Sequence, residues 1–229
     1  MSSCVEIITL CVNCLTAIGT IAVAIVAIWG DYLKDLLFRP ALTLSLLEEP
    51  LDFIPMDCPR FYVHLRLRNT PCSRWRKAGA RSCRVMLIAI QKKLQDGTFN
   101  TQWLPVPHQL TWAPSEMPPL QRDVSPEQEE ILDLGFLKRS QDHGGSFRPQ
   151  SYVLVHGYEE RCCVRAGETT RYVLDVLADN WKSQRTQVFE VSWDGHWDND
   201  PAVMQQHLRV SDVTHESESR MIAGGPNCN

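Results

Sequence analysis

No lysine or arginine occurs before Lys34, and no charged residue of either sign lies between Glu6 and Asp31. The first absence excludes a secretory signal, which needs a basic leader ahead of an apolar stretch of about 7–15 residues and a small-residue cleavage site. Ala22-Val23-Ala24 has the letters of such a site but sits deep inside the apolar run. A lipoprotein box is missing as well, because no Cys follows the required small residues. Nucleophile-elbow, phosphate-loop, zinc-helix and dinucleotide-binding patterns are all absent, and the seven His residues are scattered. No catalytic residue, cofactor or metal is therefore expected. The formal net charge of −4 argues against a nucleic-acid partner, which would normally meet a basic chain.

What the uncharged stretch contains is IITLCVNCLTAIGTIAVAIVAIWG, residues 7–30. As a helix it is about 36 Å long, enough to cross a hydrocarbon layer of about 30 Å with some tilt. Residues 1–6 then form a short extracytoplasmic leader, 7–30 a transmembrane helix and 31–40 its juxtamembrane end, stopped by Pro40. Lys34 and Arg39 follow the span and nothing basic precedes it, so the positive-inside rule predicts the N-terminus outside and the following domain in the cytoplasm. The partner implied first is a lipid bilayer.

Asn13, Thr16, Thr20, Ala24 and Ala27 recur at spacings of three or four and form one ridge of small or polar side chains. Such a ridge lets two backbones approach, and so suggests a homo-oligomer through the span. The competing reading has the Thr hydroxyls bonded within their own helix and the small residues facing lipid.

Nine cysteines, at 4, 11, 14, 58, 72, 83, 162, 163 and 228, follow no regular spacing. A cytoplasmic domain keeps such residues reduced, as small apolar side chains. Cys11 and Cys14 spell C-x-x-C, but inside an apolar helix a thiolate is disfavoured. Cys162 and Cys163 would point to opposite faces of a strand, and no second Cys pair completes a zinc site.

Behind the membrane segment, strands are expected at 41–46, 61–68, 84–90, 130–137, 152–156 and 170–179, at Val188–Trp193, and less clearly at 161–165. Leu42, Leu44 and Leu46 share one face. Phe61, Val63, Leu65 and Leu67 point inward while Tyr62, His64, Arg66 and Arg68 point out. The segment 84–90 is apolar on both sides, as a central strand is. Glu48–Pro59 reads as loop, Asp96-Gly97 as a turn, and 103–119, with five prolines, as an edge strand at most, then loop. Ser125-Pro126-Glu127-Gln128 has the letters of a short helix start. Gln141–Gln150 reads as a polar loop. The strand signal ends at Asp198, Ala202–Leu208 suits a turn or two of helix, and the Ser-, Glu- and Gly-rich end reads as disordered. The prediction is a mainly β protein: an N-terminal transmembrane helix, an antiparallel immunoglobulin-like β-sandwich over 41–200, and a mostly disordered tail over 201–229.

Two further segments are candidates for chemistry. Arg74, Arg76, Lys77 and Arg81, with Trp75 among them, could touch anionic headgroups or a phosphate. A solvated connection is the plainer reading. Asp194-Gly195-His196-Trp197-Asp198-Asn199-Asp200 collects three carboxylates and an Asn, but its order is not that of a calcium loop. A turn with solvated charges, and Trp197 packed on the end of the sandwich, suits it better.

The run IAVAIVAIWGDYLKDLLFRPALTLSL, the strand ending RLRNT, and the later AGETTRYVLDVLADNW and VFEVSWDG resemble, in layout, uncharacterised bacterial proteins with one N-terminal span and a β-sandwich domain. The resemblance implies that architecture and no activity. The function expected is a membrane-tethered, non-enzymatic sandwich that binds an unknown protein partner or senses a cytosolic signal. The alternative is a ligand-triggered effector whose spans cluster along the Asn13–Ala27 ridge and perturb the bilayer.

Overall fold

The alternation at 61–68 becomes the middle of a sheet. The computed structural model describes residues 2–37, 39–55, 57–70, 78–113, 120–139, 145–151, 159–183 and 185–214, with the side chains of 2–8, 10, 11, 31–37, 159 and 160 excepted. In it β1 (Leu42–Ile54), β2 (Arg60–Asn69), β7 (Glu129–Lys138) and β5 (Thr111–Trp112) lie side by side in that order, with β8 (Ser146–Pro149) also on β7. A second sheet runs β12 (Leu208–Asp212), β11 (Gln187–Trp193), β9 (Glu168–Ala178), β3 (Ala80–Lys93) and β4 (Phe99–Gln109). Short β10 (Trp181–Lys182) joins β9, and β6 (Arg122–Val124) joins β3. Every pairing described is antiparallel.

The sheets share one core, as a sandwich does. Phe61, Val63, Leu65 and Leu67 of β2 are fully buried in it with Tyr172, Leu174 and Val176 of β9 and Phe189, Val191 and Trp193 of β11. Those are the inward positions that period-two alternation assigns, because successive strand side chains point to opposite faces. Burying each such Leu, Val or Phe contributes roughly 1.5–3 kcal/mol, so the pattern fixes which face of each strand turns inward. The expected central strand is β3, bonded to β9 on one side and β4 on the other. The proline-rich β4 is the edge, and Gly97, at φ +80°, makes the turn before it.

Several local expectations are corrected. β1 does not stop at Leu46. It continues to Ile54 through a register shift between Leu46 and Leu51, where Pro50 sits on an edge strand that needs no donor from it. Ser125–Gln128 is a tight turn instead of a helix: Gln128 N–H donates to the Ser125 carbonyl at 3.1 Å, with Glu127 at φ +67°. Within the expected loop 141–150, Ser146–Pro149 forms β8. Glu159–Cys162 is one helical turn (α2), not a strand, and Val164 then bridges Phe147. The expected strand 152–156 lies outside the described residues.

The strand signal also resumes after Asp198. Asp200 caps α3 (Pro201–His207), its carboxylate accepting the Ala202 N–H at 2.9 Å. β12 then pairs with β11, so ordered structure extends past residue 200. Residues 215–229 lie outside the described ones. The N-terminal helix, α1, runs Ser2–Leu37.

Candidate functional site

The chain offers four places where function could reside: the helix α1, the junction between helix and sheet, the loop after β11, and the outer face of the first sheet. On α1, residues 12–29 are all exposed, and Val12–Gly30 is long and apolar enough to cross a membrane by length and composition. Asn13, Thr16, Thr20, Ala24 and Ala27 fall on one side of it. Two of the polar groups on this ridge are already used: Thr16 Oγ1 donates to the Val12 carbonyl at 2.8 Å and Thr20 Oγ1 to the Thr16 carbonyl at 2.9 Å. This back-bonding leaves Asn13 as the one side-chain amide on that side of the described helix.

At the junction, the buried Asn69 gathers chain from three directions. Its Oδ1 accepts the Ala41 N–H at 3.1 Å, and its Nδ2 donates to the carbonyls of Ala78 and Val124 at 2.7 and 3.1 Å. Thr70 N–H also donates to the Ala41 carbonyl at 2.8 Å. Arg74, Arg76 and Lys77 lie outside the described residues. Thr70 and Ala78, the described residues on either side of 71–77, are both held beside Ala41, four residues after α1 ends. Arg81 is exposed at the start of β3, its N–H donating to Asn180 Oδ1 at 3.0 Å.

The acidic loop is built by its own turns. Asp194 Oδ2 lies 2.7 Å from His207 Nδ1 and its Oδ1 accepts the His196 N–H at 2.8 Å. Asp198 Oδ1 accepts the Asp200 N–H at 2.8 Å, and Asp200 caps α3. Slight burial opposes the charge on Asp194, but the bonds from His207 and His196 outweigh it and hold its pKa below the ordinary carboxylate value. The Trp197 ring lies 5.1 Å from that of Phe61, at the end of the core. Three carboxylates thus fold a corner of the sandwich, and His207, whose Nδ1 meets Asp194, was not legible as their partner in the sequence. Among the described residues no group of three His, Cys, Asp or Glu side chains converges to hold a metal.

The described cysteines are free thiols: Cys14 and Cys58 are exposed, and Cys83, Cys162 and Cys163 are buried. Burial pushes the Cys83 thiol up to about 12, Cys162 up to about 11, and raises Cys163. Such thiols are protonated and unreactive. The side chain of Cys11 lies outside the described ones, so the C-x-x-C pair has no geometry to report.

The outer face of the first sheet carries a row of polar groups that sequence spacing could not join. His64 of β2 stands opposite Asp133 of β7, and Thr111 of β5 is opposite Asp133 in turn. His64 Nδ1 lies 2.7 Å from Asp133 Oδ1, and Nε2 lies 3.7 Å from Asp52 Oδ2 on β1. Burial alone would depress the imidazole. The hydrogen bond to Asp133 and the two carboxylate charges overcome that, so its pKa is raised. Thr111 Oγ1 is buried with no partner among the described residues. Tyr62 stacks beside the imidazole, with ring centroids 6.4 Å apart and planes within 10°. The signal that was available is Asp133, a lone charge in the apolar run Ile131–Leu134.

Among the described residues, two hollows lie elsewhere. One, of about 330 Å³, is lined by Ile90, Gln102, Trp103, Leu104, Pro105 and Arg161. The other, about 490 Å³ and open to solvent, lies among Ser82, Gln121, Arg122, Asp123 and Glu130. The chain matches no protein-family model and no curated protein.

Proposed function

We propose that the protein is a single-pass membrane protein whose β-sandwich, immunoglobulin-like in architecture, binds another protein or senses a signal in the cytoplasm without catalysing a reaction itself. One observation carries this reading: the apolar Val12–Gly30 segment of α1 has none of its length buried against the rest of the chain. Leu15, Ile18, Val23 and Ile28 are between 64 and 75% exposed. Leaving each of them in water forgoes roughly 1.5–3 kcal/mol, whereas the hydrocarbon of a bilayer covers all of them at once. The sandwich already has a closed core of its own and does not need the helix to complete it.

The orientation rests on the first basic residues, Lys34 and Arg39, lying after the span. In this reading the basic connection Arg74–Arg81 reaches the anionic headgroups, supported by the position of its flanking residues at Ala41. The immunoglobulin-like reading is supported by two antiparallel sheets on one core and by a chain that crosses between them, from β2 to β3 and from β6 to β7. The polar row at His64 suits a sensing or binding face, because its imidazole is engaged by the carboxylates of Asp133 and Asp52. The test is extraction of membranes with alkaline carbonate. The chain is expected to stay in the pellet and to be released only by detergent, and its appearance in the carbonate supernatant would overturn the proposal.

A further inference from the structure

A carboxylate from each neighbouring strand reaches the imidazole on β2. His64 Nδ1 lies 2.7 Å from Asp133 Oδ1 on β7, and its Nε2 lies 3.7 Å from Asp52 Oδ2 on β1. A neutral imidazole carries one N–H, so it donates to one carboxylate and turns a lone pair toward the other. Only the imidazolium suits both. Asp133 is the closer and the more buried, with 12% of its side chain exposed against 60% for Asp52. The single N–H of the neutral ring therefore stays with Asp133, and Asp52 is let go.

What Asp52 holds is the outer half of β1. Leu42–Leu46 pair with β2 from Asn69 to Leu65, Leu51–Ile54 pair with it from Val63 to Arg60, and the register shifts between the two halves, beside His64. Glu48 and Glu49 lie in that irregular stretch, so with Asp52 the segment carries three carboxylates. Among the described residues the ion pair to His64 is the only one these three make. Arg66, the next outward residue on β2, is paired instead with Glu129 of β7 at 3.7 Å. The other groups facing the ring are Tyr62, stacked at 6.4 Å, and the neutral Thr111 of β5, across from Asp133.

We propose that His64 is a proton-operated latch: protonated, it ties the outer half of β1 to β7 across β2, and neutral, it releases Asp52 and lets residues 47–54 open from the sheet edge. The inference rests on the reading of the sandwich as a sensing module, and it names the signal, proton concentration. Burial opposes the charge on the ring, but the bond to Asp133 and the two carboxylate charges outweigh it. The latch is thus closed in most copies at the ordinary imidazole value of 6.5 and opens as pH rises above it. Leu51 is buried and the Phe53 ring packs 4.8 Å from that of Phe61, so both favour the closed form and the latch shifts a population. Because β1 is an edge strand, its opening bares the side of β2 from Arg60 to Val63.

The test is hydrogen exchange of the full chain in detergent, read by mass spectrometry on peptides covering residues 46–54 and corrected for the intrinsic pH dependence of exchange. Exchange there should rise about fivefold as pH is raised stepwise from 6.5. The rise should vanish in His64→Gln and in Asp52→Asn, the second of which alters an exposed side chain and leaves the imidazole in place. Peptides covering 170–176 of β9 should show no such step. A flat profile in the parent overturns the proposal, as does a rise of equal size in Asp52→Asn or at 170–176. Carbonate extraction of the same preparations keeps the two readings apart. A membrane-held chain with a flat profile removes only the latch, and a carbonate-soluble chain that shows the step removes only the tether.

Discussion

Asn69 accepts the N–H of Ala41 through its Oδ1, and through that bond the last strand residue of β2 holds the chain that leads from α1 into β1. The same side chain closes the carbonyls of Ala78 and Val124, and it has no exposed surface. Replacing Asn69 with Ala leaves three backbone groups to find other partners in a dry site. We expect Asn69→Ala to lower stability by about 2–4 kcal/mol. The check is urea unfolding of the detergent-solubilised chain, followed by Trp fluorescence; an unchanged midpoint would show that the three groups are satisfied without it.

The proposed span should fail when charged. A lysine or arginine at the centre of a membrane helix disfavours insertion by about 2.5–3.5 kcal/mol. Ile18→Arg/Val23→Arg should therefore move the protein from the carbonate-resistant pellet to the soluble or aggregated fraction. Ile18→Leu/Val23→Leu should stay where the parent is.

Orientation can be read from Cys58, which is exposed in the β1–β2 turn. In a chain whose Cys4, Cys72 and Cys228 are changed to Ser, a membrane-impermeant maleimide should label Cys58 only after intact cells are permeabilised. Cys83, Cys162 and Cys163, buried with raised pKa values, should stay unlabelled until denaturant is added. Labelling of Cys58 from outside would reverse the proposed topology.

The pH response follows from His64. Its folded pKa is above the ordinary 6.5, because Asp133 and Asp52 favour the imidazolium more than burial opposes it. The other groups around it are Tyr62 and Arg66 on β2, Glu48 and Glu49 in the irregular part of β1, and the neutral Thr111 on β5. A raised pKa contributes stability that is complete below the unfolded value and is lost as pH rises through the folded one. The melting temperature should thus fall as pH rises above the ordinary imidazole value of 6.5, and that fall should shrink in His64→Gln. A slope of the same size in the variant would assign the effect to another group.

Gly135 stands at the register shift where β7 passes His64. A Cβ there would collide with the Arg148 carbonyl oxygen and lie 2.6 Å from Phe147 Cζ. Gly135→Ala should lower stability by about 1–3 kcal/mol through forced displacement of β8. If its thermal transition matches the parent's, β8 is free to move.

Much of this architecture can be read from residue order. Period-two patterns at 61–68, 170–179 and 188–193 gave strands with the correct inward faces, because burial on one side leaves a strict alternation behind. Where a strand's stability comes from its neighbours the pattern is faint. β12 is recognisable only once β11 is there to pair with it, and the second half of β1 is masked by Pro50 and two glutamates. Ser125–Gln128 shares its letters with a helix start, and what decides against a helix is Glu127's positive φ and its N–H donated to the Asn69 carbonyl. The His64–Asp133 pair was out of reach for a different reason: its partners are 69 residues apart, and only the β2–β7 register brings them together.

Two of the outermost strands bear on the proposed tether. Copies tethered as proposed would meet in two dimensions, where local concentration is high and a bare strand edge would template stacking of one sandwich onto the next. Among the described residues, β4 breaks register across Leu87–Ala89 with Pro105 and Pro107 on its own side, and β1 does so with Pro50 beside Glu48 and Glu49. Neither of these two rims offers an unbroken row of donors, so neither is a ready template for a neighbouring strand.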